Sequence, residues 1–232
     1  LPAFEKLSLK KEHMEIIKSL FDFIMHIDEH LMVMIQDYGN YVYAILFLIV
    51  FVETGLIVMP FLPGDSLLFA AGALAAASDN VGLNVYVLIP LLILAALCGD
   101  NVNYFIGRFF SEKIKQRERI LFFKREYITR TEAFYEKYGR QAIIMARFVP
   151  IVRTVAPFVA GAGNMPYRRY ITFCILGALL WVIGITMLGY TCGNLPFIKE
   201  NFEIVVFVII GVSLLPIVYG VLKSMMTKSK AN

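Results

Sequence analysis

Apolar residues along this chain gather in long runs divided by short polar or basic stretches, and only the first forty residues alternate at helical spacing. From Met14 to about Gln36, Ile17, Leu20, Phe21, Ile24, Ile27, Leu31 and Ile35 recur every three or four positions with Asp and Glu between them. That period predicts an amphipathic helix, lying at a membrane interface. Tyr41 to Met59 is then nineteen residues with one charge, long enough to cross a hydrocarbon core of about 30 Å. Pro60, Pro63 and Gly64 stop it. The next run, Ser66 to Ala77, has twelve residues, too few to cross and suited to a re-entrant helix. A second span is expected over about Val85 to Ile106, then a basic helical connector. Ala142 to Gly163 is a second broken apolar stretch, and spans over about Tyr170 to Cys192 and Glu203 to Leu222 follow.

The two broken stretches align. PFLPGDSLLFAAG from Pro60 and PIVRTVAPFVAG from Pro150 share a leading Pro, a polar break and a small-residue tail. The predicted fold is therefore an all-α integral membrane protein of about four transmembrane helices and two opposed re-entrant helical hairpins in an inverted repeat, preceded by the amphipathic helix. Its expected divisions are residues 1–40, the membrane domain 41–222, and a basic tail 223–232.

Composition agrees with a membrane protein. Hydrophobic residues make up 59% of 232 and charged residues 17%, against about 25% charged in a soluble domain. The net charge of +4 is topological: ten Lys/Arg against five Glu lie between Arg108 and Arg140, and Lys223, Lys228 and Lys230 follow the last run. Placing both groups in the cytoplasm puts both termini there and makes the two hairpins enter from opposite sides. No nucleic-acid partner is implied. The residues before Tyr41 do not read as a secretory signal.

Four charges break the apolar pattern where lipid would not tolerate them. Glu53 and Asp65 belong to ETGLIVMPFLPGDS, and Arg147 and Arg153 to ARFVPIVRTVAPFVAGAGNM. A charge at the centre of a spanning helix costs about 2.5–3.5 kcal/mol even on a lenient scale, so these residues predict a polar interior. A guanidinium carries a fixed charge in a planar fork that grips a phosphate through two hydrogen bonds. Desolvated carboxylates could exchange protons in the working pH range. The same residues also read as ion pairs holding the hairpins together, and Asp65 as a helix N-cap with Ser66. Asp100 and Arg108 are secondary candidates, as boundary anchors or a local pair. Tyr104 and Trp181 read as interfacial or core positions, and Gly72, Gly161 and Gly163 as close-packing residues. Cys98, Cys174 and Cys192 lack metal spacing and read as packing residues. His13, His26 and His30 complete no motif, so no metal and no cofactor is expected.

ETGLIVMPFLPGDSLL, GDNVNYFIGR, RFVPIVRTVAPFVAGAGNMPYRRY and GALLW, in that order over about Glu53 to Trp181, resemble the DedA family, related to the eukaryotic VTT-domain lipid scramblases. Ser111 stands where members often have Gly, and Cys174 where Asn is common. The resemblance implies an inner (cytoplasmic) membrane protein that moves membrane lipid, above all undecaprenyl phosphate, the lipid carrier of envelope synthesis, with dependence on the proton motive force. It leaves a homo-oligomer open. A phospholipid scramblase without proton coupling and a proton-coupled cation or drug exporter are the alternatives. The residues argue against an enzyme, since the apolar body holds no histidine and no Gly-x-Ser-x-Gly elbow.

Overall fold

A computed structural model describes residues 27–56, 64–76, 83–110, 119–120, 123–124, 141–193, 195–196, 204–205, 208–209 and 211. The helices are α1 (Ile27–Tyr38), α2 (Tyr41–Gly55), α3 (Gly64–Ala76), α4 (Val85–Phe109), α5 (Ala142–Ala146), α6 (Pro150–Ala162) and α7 (Tyr167–Cys192). A two-residue antiparallel ladder, β1 (Arg119–Ile120) with β2 (Phe123–Lys124), lies between α4 and α5. Among the described residues the architecture is all-helical apart from that ladder.

Among the described residues, α4 and α7 are long and apolar enough to cross a membrane. At 25 and 26 residues and a rise of 1.5 Å each, they reach about 37–39 Å. Their outer faces carry Leu94, Phe105, Leu180 and Leu188, each more than half exposed. Such apolar surface is stable facing lipid. Helices α3 and α6 have 13 residues each, about 20 Å, well short of the hydrocarbon core. They are the innermost elements: Ser66 through Ala75 and Arg153 through Ala162 are buried without a break. A helix apolar on every side is stable only when covered on every side. Here α3 packs on α7 and α1, and α6 on α4 and α5.

The two contacts are built alike. A Cβ on Gly72 would strike the Thr186 carbonyl, and one on Gly189 the Phe69 carbonyl, where α3 meets α7. Where α6 meets α4, a Cβ on Gly161 would strike the Tyr104 carbonyl and one on Gly107 the Phe158 carbonyl. Phe69-x-x-Gly72 and Phe158-x-x-Gly161 thus perform one packing role twice, by the close backbone approach that small residues allow between membrane helices.

Several boundaries differ from expectation. α2 ends at Gly55 and not at Met59, with Leu56 already extended; glycine is a poor helix former. α4 and α7 each extend three residues beyond the predicted span, at the C-terminus and N-terminus respectively. The second broken stretch divides at Arg147–Val149, and Pro150 occupies the first turn of α6, where its missing N–H costs nothing. At the end of α6, Asn164 takes φ +56. There the Met165 N–H donates to the Ala160 carbonyl (2.9 Å) and the Asn164 N–H to Gly161 (3.0 Å), a left-handed cap. In α1, Leu31 and Ile35 from the predicted apolar stripe join the buried core. The rest of the amphipathic prediction before Ile27, the Pro60–Pro63 break, most of the basic connector and most of the Glu203–Leu222 run lie outside the described residues.

Candidate functional site

The charges predicted to sit in the apolar body meet one another there. Arg153, one turn into α6, donates from Nη2 to Glu53 Oε1 at 2.5 Å and from Nη1 to Asp65 Oδ1 at 2.8 Å. Glu53 arrives from the last turn of α2 and Asp65 from the first turn of α3. Gly64 makes this possible, because a Cβ there would collide with the Glu53 carboxylate. Asp65 therefore lies inside the helix as an ion-pair partner.

Arg147, in the turn between α5 and α6, pairs with Asp100 of α4 through Nη1 and Oδ2. The Cys174 thiol donates to the same Asp100 oxygen at 3.2 Å, and the Tyr170 hydroxyl to the Asp100 backbone carbonyl at 3.0 Å. The expected Asp100–Arg108 pairing is replaced by this one. α4 turns Asp100 inward, while exposed Arg108 donates to the Tyr104 hydroxyl at 3.1 Å.

Trp181 joins the two sets. Its indole N–H donates to Asp65 Oδ1 at 2.8 Å. The guanidinium carbons of Arg153 and Arg147 lie 4.8 and 5.3 Å from its ring centroid, within reach of cation–π attraction. Asn103 ties the surrounding backbone together, donating to the Thr54 carbonyl (3.3 Å) and the Thr154 carbonyl (2.7 Å). Glu53 and Asp100 are 1% exposed, Arg147 5%, Arg153 7% and Trp181 1%, and the Asp65 side chain 18%, so the cluster is enclosed except at Asp65. A cavity of about 620 Å³ lies elsewhere, on the outer face of α4 against Val102, Phe105, Ile106, Arg108, Phe109 and Phe110.

Three carboxyls thus face two guanidiniums inside apolar helices. Several buried polar atoms make no hydrogen bond: Glu53 Oε2, Asp100 Oδ1, Arg147 Nε and Nη2, and Arg153 Nε. Among the described residues no group of three His, Cys, Asp or Glu side chains could hold a metal ion. The sequence did not mark Trp181, Cys174, Tyr170, Asn103 or Gly64 as part of this assembly. Only the position of Gly64 beside Asp65 and the singularity of Trp181 could have pointed there.

Apolar helices with lipid-facing outer surfaces around a closed ion-pair cluster define an integral membrane protein with a charged centre. The VTT domain family model matches residues 62–191, which span α3 to α7. The protein DedA of Escherichia coli K12 is 50% identical over 218 residues, covering 94% of this chain and 99% of that one. An uncharacterised membrane protein of Mycobacterium tuberculosis H37Rv is 44% identical over 179 residues, 77% of this chain and 78% of its own. The Escherichia coli K12 inner membrane protein YghB is 33% identical over 189 residues, 81% and 82% respectively. No solved structure matches. The chain belongs to the DedA family of VTT-domain membrane proteins.

Proposed function

We propose that this protein is a lipid flippase that moves undecaprenyl phosphate across the cytoplasmic membrane, with Arg147 and Arg153 receiving the phosphate and Glu53 and Asp65 exchanging protons. The observation that carries the reading is the enclosed meeting of two arginines with three carboxyls beside a helix break. Irregular backbone at membrane depth is tolerated where protein buries it or it lines a polar cavity, and buried intramembrane charges mark ion or substrate pathways. The charge count favours proton coupling. A phosphate monoester entering the cluster adds negative charge to a set already rich in carboxylates, so protons taken up by the acids would hold the low-dielectric interior near neutrality.

The same reading takes α2–α3 and α5–α6 as re-entrant hairpins entering from opposite faces. Helix α2 runs beside α4 in the same direction, the Asn84 N–H donating to the Tyr43 hydroxyl at 2.7 Å near one end and Gly55 lying against Gly99 further along, which favours α2 as half of a hairpin over the separate span expected from Tyr41 to Met59. The paired glycine contacts of α3 on α7 and α6 on α4 support two equivalent halves, as in transporters built on inverted repeats.

The test is headgroup movement of undecaprenyl phosphate in proteoliposomes, with and without an imposed pH gradient. Gradient-stimulated movement is expected, abolished by Arg147→Ala or Arg153→Ala in protein that still inserts and only partly restored by Lys, which lacks the planar fork. Equally fast movement of ordinary phospholipids, indifferent to pH, would make the protein a scramblase. Cation export surviving loss of either arginine would make the acids the binding groups.

A further inference from the structure

The two arginines differ in which edge of the guanidinium is engaged. Arg153 uses Nη1 and Nη2, its end-on pair, on Asp65 and Glu53. One nitrogen, Nε, is left without a hydrogen bond. Arg147 uses Nη1 alone, on Asp100. Its Nε and Nη2 make no hydrogen bond although the residue is only 5% exposed. Nε–H and one N–H of Nη2 point the same way and form the side-on fork that takes two oxygens of one oxyanion. Two unsatisfied buried donors on a cation are costly, and the cost is removed by a ligand that supplies two acceptors.

Asp100 is suited to share Arg147 with such a ligand. It holds Nη1 of the guanidinium and leaves the buried Nε and Nη2 donors without a hydrogen bond. The Cys174 thiol on its Oδ2 and its position on α4 anchor it independently of the arginine. Trp181 contacts both arginines, its indole N–H anchored on Asp65 and its ring against both guanidiniums. It therefore touches both ion-pair sets and helps fix the place of each guanidinium.

We propose that the Nε–Nη2 edge of Arg147 is the oxyanion subsite, for a phosphate monoester headgroup, with Asp100 as its dedicated counter-ion and Trp181 as the positioning residue that it shares with the Arg153–Glu53–Asp65 set. This rests on the phosphate-transport reading and divides the labour within it: Arg147 grips the headgroup, and Arg153 is the exchange partner of the acids.

Trp181 is the one tryptophan of the chain, so its emission reports on both arginines. The experiment titrates the full chain in detergent with undecaprenyl phosphate in phosphatidylcholine mixed micelles, with inorganic phosphate, and with phosphatidylcholine alone. A saturable change is expected with the lipid monophosphate and none with phosphatidylcholine. Saturation by inorganic phosphate too assigns recognition to the headgroup, and saturation by the lipid alone adds the chain; both support the subsite. Arg147→Lys should weaken binding about tenfold or more, and Arg153→Lys by about threefold or less, since only the first loses an engaged fork. Transport should fall in both. Asp100→Asn leaves both arginines in place and should tighten binding about three- to tenfold by removing the competing charge; unchanged or weaker binding overturns the proposal even where Arg147→Lys fails to fold. Equal weakening by the two lysine variants overturns the division while wild-type transport of undecaprenyl phosphate continues. Absence of both saturable binding and transport in the wild type removes the phosphate reading and the subsite with it.

Discussion

Arg147 and Arg153 are six positions apart in the chain yet stand in different electrostatic company, one carboxylate against two. Removing Arg153 strands two carboxyls in an apolar interior, whereas Asp65→Asn removes one charge and keeps an acceptor for both the guanidinium and the indole N–H. Arg153→Ala should therefore destabilise the protein by about 3–5 kcal/mol, the cost of breaking a buried pair, and Asp65→Asn by clearly less; thermal unfolding in detergent reads the difference. Gly64 is placed so that any side chain meets the Glu53 carboxylate. Gly64→Ala should displace Glu53 from Arg153, costing about 1–3 kcal/mol by overpacking and lowering gradient-driven transport, with membrane insertion retained in a fractionation assay. Glu53→Gln should leave lipid movement less dependent on the pH gradient. Gradient dependence equal to that of wild type would take Glu53 out of the proton pathway.

The fold at the scale of helices depends on two short, wholly covered elements, α3 and α6, each meeting a long helix of the other half through facing glycines. No side chain larger than hydrogen fits at Gly72, Gly107, Gly161 or Gly189 without moving a backbone carbonyl. Gly161→Leu and Gly72→Leu should each push a short helix off its partner and lose most of the folded, monodisperse protein on size-exclusion chromatography. Gly184→Leu, with nothing near its Cβ position, should not. Helix existence was legible from apolar run length in α4 and α7, and the break at Pro150 from proline's missing donor. The end of α2 at Gly55 was less so, because Leu56 through Met59 remain apolar and run length alone carries no signal of a stop.

For the whole molecule, the proposed reading puts the basic connector and tail on the cytoplasmic side by their charge, and the opposed hairpins are a consequence of that proposal. Cysteines introduced at Ser111 and Ser229, in a background with Cys98, Cys174 and Cys192 replaced, should react with an impermeant maleimide only after the cytoplasmic side is opened. One introduced at exposed Asn84 should react from outside. Labelling of Ser111→Cys and Asn84→Cys from the same side would overturn the opposed hairpins. The sequence by itself determined the membrane class, the helices α4 and α7, the two short broken elements, the family, and the unusual placement of Glu53, Asp65, Arg147 and Arg153. These are properties of composition, run length and local spacing, which the chain displays directly. Only the tertiary structure decided that Arg153 takes both Glu53 and Asp65, that Arg147 takes Asp100 from α4, and that Trp181 contacts both arginines. Pairing partners are 47 to 116 positions apart, and their meeting depends on the angle at which glycine-lined helices cross. That angle follows from backbone contacts across the bundle, which no local pattern encodes.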